Sequence, residues 1–219
     1  RKVPSALAAF VRAVKDPDEG VRLAAVAVLQ QLTGEQVVSV VLLRLGAGSA
    51  HERERVRVAV STQLARSTGP ERLAALRRLA IMAKAERPGT QEDAMAILQQ
   101  VGPAAAEPML EALAEVQPGS EGPWIDRLEA VLAKIGKPAM GLLVQALRRA
   151  GTDERRATAA ARVLSRLGAI AVPELLDTLD PRQQHALEAA DLAEEVLLRL
   201  GDAAVPGVTA QLGDPLEHR

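Results

Sequence analysis

Cysteine is absent from the 219 residues, which excludes disulfides and thiolate metal sites. Tyrosine is absent too, and Phe10 and Trp124 are the only aromatic residues. The 48% apolar content therefore comes mainly from Ala, Leu and Val. Such side chains let helices approach closely instead of filling a wide core. Histidine occurs three times, at His51, His185 and His218, with no two at the i, i+4 spacing of a helical metal site. Nowhere do 18 apolar residues run together, so no membrane-spanning helix is expected, and no secretory segment opens the chain. The expected location is cytoplasmic. Because the first residue is Arg1, a removed leader would escape this reading.

Charge is balanced overall at a formal -1. Residues 1–100 carry 15 Lys/Arg against 10 Asp/Glu, and residues 101–219 carry 12 against 18. Either these are solvated helix faces, or the polarity serves an acidic or basic partner at one end.

What is present is a repeat. Gly34, Gly69, Gly102, Gly136, Gly168 and Gly201 are separated by 35, 33, 34, 32 and 33 residues. Most of them close an apolar run, the place for a left-handed C-terminal cap. Counting from each Gly, offsets +4, +7 and +11 are apolar in every copy, as in Met140, Leu143, Leu147 and Val172, Leu175, Leu179. Steps of three and four make one buried helical stripe. Pro108, Pro173 and Pro206 fall early in these segments, where a missing N–H leaves no intrahelical bond unmade.

Each unit is thus a helix pair. First helices are predicted at 18–32, 51–66, 90–101, 122–135, 153–167 and 182–200. Second helices are predicted at 4–15, 35–46, 70–85, 103–116, 138–150, 170–179 and 203–212. Asp16 is the expected N-cap of the first of these first helices, with Pro17 in its opening turn.

The Asp-Pro-x-x-x-Val-Arg-x-x-Ala run at residues 16–25 resembles the first helix of a HEAT repeat. The Leu-Gly-x-x-Ala-Val-Pro runs from Leu167 and Leu200 resemble the second helix of short bacterial HEAT-like repeats. The resemblance implies an all-α fold over residues 1–219, an α-α superhelix of about six helix pairs with a leading half repeat. Residues 3–15 read as a second helix without its first, and Asp214–Arg219 as the opening of another repeat. The expectation is a single solenoid domain within a longer array or larger protein.

Fold alone does not assign function, because HEAT arrays serve many tasks. Deoxyhypusine hydroxylases bind iron through His-Glu pairs recurring between repeats, but His51-Glu52 is the single such pair here and reads as a solvated first turn. HEAT-like DNA glycosylases use aromatic and acidic residues in a basic cleft, a pattern only caricatured by Trp124 and Asp126. One Trp and near-zero net charge supply neither stacking platforms nor phosphate neutralisation. Trp124 reads as a packing residue. The short repeats also resemble those of phycobilin lyases, without a marked chromophore pocket. No phosphate loop or nucleophilic triad is present, so no enzyme activity, metal or cofactor is expected.

The leading expectation is a protein-binding scaffold or adaptor, whose partner is another protein or a peptide. The alternative is a HEAT-like enzyme or ligand-binding module, bilin-lyase-like or nucleic-acid-acting, with its site in the groove. Second helices line the concave face of such ribbons. Offset +9 points away from the buried stripe and holds Leu43, Arg78, Glu111, Gln145, Asp177 and Ala210. Arg44, Arg148, Arg149 and Glu174 lie nearby, and together these make the expected binding ridge. Leu43 and Leu142 serve either as apolar anchors on that ridge or as part of the buried stripe.

Overall fold

The computed structural model describes residues 9, 12–29, 45–116, 122–180 and 187–212. Among them all regular structure is helical and no strand occurs, as the composition and stripes predict. The helices are α1 (Glu19–Leu29), α2 (Ala50–Arg66), α3 (Gly69–Met82), α4 (Pro88–Val101) and α5 (Ala106–Ala114). They continue as α6 (Pro123–Ile135), α7 (Lys137–Arg148), α8 (Glu154–Leu167), α9 (Val172–Leu179), α10 (Leu187–Leu200) and α11 (Val205–Leu212). The second helices expected at 4–15 and 35–46 lie largely outside the described residues, as do His185 and His218.

Two compact units divide the chain, Arg1–Pro108 and Met109–Arg219. In the first, α1, α2 and α4 pack in succession, and α3 packs on α4. In the second, first helices α6, α8 and α10 form one layer, and second helices α7, α9 and α11 the other. The offset stripes build the seam: Met109, Leu113, Leu143, Leu147, Val172 and Leu175 are buried. Leu73 and Leu179 are only half-buried. Val205, expected in the stripe, is 56% exposed, although Val172 at the same offset is fully covered. No described helix is long and apolar enough to cross a membrane; α6 and α7 pass jointly on length and composition but meet at a 118° bend.

Three of the repeating glycines perform a different turn from the one expected. Gly102, Gly136 and Gly168 have φ near +70° but ψ between -132° and -143°. That is the mirror of the extended region, not the left-handed helical one, and is essentially closed to residues bearing a Cβ. It redirects the chain at once, through a 3-10 turn at Gly102–Ala105 and Gly168–Ala171, into the next helix. Pro173 then falls within the first turn of α9, as its missing N–H requires.

At α1 the cap is also shifted. Asp18, not Asp16, accepts the Val21 N–H at 3.1 Å, and Asp16 accepts the Asp18 N–H in the preceding turn. Pro17 therefore lies before the helix.

Candidate functional site

Ion pairs between successive first helices fix the frame on which any surface is carried. Arg22 of α1 pairs with Glu52 of α2, and Arg53 of α2 pairs with Asp93 of α4 at 2.9 Å. Asp93 is 0% exposed and also accepts the Gly46 N–H at 2.8 Å. In the second unit, Glu129 of α6 receives Arg166 Nε at 2.8 Å and lies 3.0 Å from Arg162 Nε, both on α8. Arg166 also pairs with Asp126. Charge-assisted, hydrogen-bonded pairs of this kind are the strong ones, and burial makes a missing partner costly.

These pairs revise two readings of the sequence. Glu52 is not in a solvated turn: it is 4% exposed. It closes a capping box, accepting the Ser49 N–H at 2.8 Å while Ser49 Oγ accepts the Glu52 N–H at 3.3 Å. The Arg22 guanidinium, aided by that backbone N–H, lowers its carboxyl to about 2. His51 beside it is exposed. Asp126 is exposed but held by Arg166, while Trp124 is half-buried in the first turn of α6. Arg53 likewise belongs to a buried network, and Asp93 drives its guanidinium pKa further up.

The second-helix ridge is in part as expected. Arg78 on α3, Gln145 on α7, Arg149 just beyond α7 and Glu174 on α9 are exposed, whereas Glu111 on α5 is half-buried. Leu43 and Arg44 lie outside the described residues. Arg148 and Asp177 are not independent ridge charges. They pair with one another across α7 and α9, and Arg148 Nε also reaches Thr178 Oγ1 at 3.3 Å. This clamp ties the two helices together.

Beside the clamp, a depression of about 230 Å³ opens between the end of α7 and the start of α8. Gln145 and Arg149 stand on one wall, and Asp153 and Arg156 on the other. Leu142 lines it half-buried, between the two roles read from the sequence. Asp153 is fixed as the α8 N-cap, accepting the Arg156 N–H at 3.2 Å. The sequence signal for this groove was the Thr152-Asp153-Glu154 helix opening, which caps α8 next to the ridge. Among the described residues, no three His, Asp or Glu side chains group as metal ligands.

No known protein-family profile matches the chain, and no curated protein matches it significantly. Among solved structures, the crystal structure of an engineered protein is similar at 15% identity. The match covers 91% of this chain and 98% of that one, with a TM-score of 0.34. A likeness that loose carries no argument about fold or function.

Proposed function

We propose that the chain is a non-catalytic protein-binding scaffold or adaptor of HEAT-type repeats, winding as an α-α superhelix and presenting its second helices to a protein or peptide. The supporting observation is the groove at Leu142, Gln145 and Arg149 beside the Arg148–Asp177 clamp. An apolar floor with a charged rim suits a side chain anchored by contact and oriented by hydrogen bonds. The clamp holds α7 to α9 before any partner arrives, so little ordering cost falls on binding.

A photo-crosslinking residue placed at Gln145 or Glu174 tests this in native lysate. Both positions are exposed and should yield the same discrete adduct. A residue at Arg127, exposed on first helix α6, should not. Equal adducts from all three positions would sink the second-helix face. Charge reversal at Arg149 should weaken capture without altering the melt. Reversal at Arg148 should do both, because it also breaks the clamp.

A further inference from the structure

The inter-repeat pairs of the second unit lack one member. Arg166 stands two residues before Gly168 and meets Asp126 and Glu129, which stand ten and seven residues before Gly136. Arg199 stands two residues before Gly201, in the same register one repeat later. The positions that should answer it on α8 are Thr158 and Ala161, neither of which carries a charge. Among the described residues, Arg199 meets Glu195 of its own helix, one turn away, through Nη2.

A cleft of about 600 Å³ spans α6, α8 and α10, and Arg162, Arg166 and Arg199 line it together with Asp126 and Glu129. Arg162 Nε is buried beside Glu129 yet misaligned with it, and has no hydrogen-bond partner. Ser165 Oγ on the same wall gives its proton to the Ala161 carbonyl at 3.0 Å, so the donors facing the cleft are guanidinium groups. Guanidinium forks match planar oxyanions in bidentate fashion. The groups that complete pairs between first helices among the described residues are carboxylates: Glu52, Glu92, Asp93, Asp126 and Glu129.

We infer that this first-helix cleft is a binding site for the carboxylate side chain of an acidic peptide segment, which supplies the pair that Thr158 and Ala161 omit, with Arg199 as the principal recognising group. Arg162 and Arg166 line the approach; Glu129 holds both in place and keeps the site from being a general anion sink. The site lies on the layer opposite the second-helix ridge and stands independently of it.

The test is fluorescence anisotropy of a labelled Glu-Ser repeat peptide at low salt, with a Lys-Ser peptide as control. Binding of the acidic peptide alone is expected, weakened about tenfold or more by Arg199→Gln. Thr158→Asp places a carboxylate in the vacant register of an exposed helical position. It should abolish peptide binding while melting no lower than the parent, which separates occupancy from unfolding. Lys137→Glu, at an exposed position of α7 outside both the cleft and the ridge, should leave peptide binding unchanged. Wild-type affinity in both Arg199→Gln and Thr158→Asp overturns the inference, as does loss of binding in Lys137→Glu. Displacement of the peptide by inorganic phosphate but not acetate, at matched ionic strength, overturns the carboxylate assignment.

Discussion

In the pairs between first helices, the arginine stands on the earlier helix and reaches forward in residues 1–108, and stands on the later helix and reaches back in residues 109–219. Arg22 and Arg53 go to Glu52 and Asp93, whereas Arg162 and Arg166 return to Glu129 and Asp126. Helix ends account for part of this. Glu52 lies in the first turn of α2, where exposed N–H groups favour negative charge, whereas Asp93, deeper in α4, is held by the Gly46 N–H and Arg53. Arg166 lies in the last turn of α8, where free carbonyls favour a cation. The two arrangements differ in what surrounds them. Asp93 is sealed beneath Gly46 and Arg53, while Arg162 and Arg166 keep 31% and 38% of their surface beside an open cleft. The same chemistry thus seals its acid in one unit and leaves its arginines beside an open cleft in the other.

The sharpest way to break that contrast is to remove one acid from each unit. Asp93→Ala leaves the Gly46 N–H without its acceptor and leaves Arg53 with Glu92 and the Gly89 carbonyl. It should cost about 3 kcal/mol, read from urea unfolding. Glu129→Ala frees two arginines that water can reach, and should cost about 1–2 kcal/mol. Equal costs would show that burial does not distinguish the two units.

Glycine substitutions probe the same difference. A Cβ on Gly46 would lie 2.3 Å from the Thr90 backbone nitrogen, and φ there is +74°. Gly46→Ala should therefore cost about 3 kcal/mol or more, combining strain with displaced packing. At Gly136 the added Cβ meets nothing closer than 4.0 Å, so only the backbone angle objects. About 2–3 kcal/mol is expected for Gly136→Ala, measured by the same denaturant series.

Acid should weaken the first unit through Glu52. Its carboxyl falls from an ordinary 4.5 to about 2 in the folded chain, first through Arg22 and then through the Ser49 N–H. A depressed folded pKa means that the stabilisation is complete above about pH 4.5. It is lost as pH falls through the range down to about 2. Water reaches Arg22, so screening holds the contribution to about 1–2 kcal/mol. Glu52→Gln should flatten the drop in urea midpoint between about pH 6 and about pH 2.5. An unchanged slope would assign acid sensitivity to other groups.

Period and stripe made most of the described helices legible in the sequence, because spacing and helix propensity agree. The predicted 122–135 and 138–150 became Pro123–Ile135 and Lys137–Arg148. The glycine conformation was not legible: a positive φ is implied by Gly, but ψ is set by how tightly the next helix must turn. The ridge was readable as a line of outward positions. The Arg148–Asp177 clamp was not, since it joins residues 29 apart whose meeting depends on the stacking of α7 on α9. Buried acids escape the sequence for the same reason. Glu52 and Asp93 look like solvated first-turn charges until the arginine of another repeat is placed against them.

The smallest effect sharpens the comparison by repair. Thr158→Asp gives Arg199 the counterpart that Asp126 gives Arg166, at an exposed position where the side chain swap disturbs no packing. Asp has a slightly poorer helix propensity than Thr or a similar one, so any gain must come from the new pair. Exposed pairs contribute about 0.2–1 kcal/mol. Arg199 is 53% exposed and already shared with Glu195, which places the expectation at the low end, about 0.3 kcal/mol. The gain should vanish in the Arg199→Gln background and shrink with added salt. A gain that persists without Arg199 would mean that the introduced carboxylate acts elsewhere, and the repeat register that equates Arg199 with Arg166 would not hold across α8 and α10.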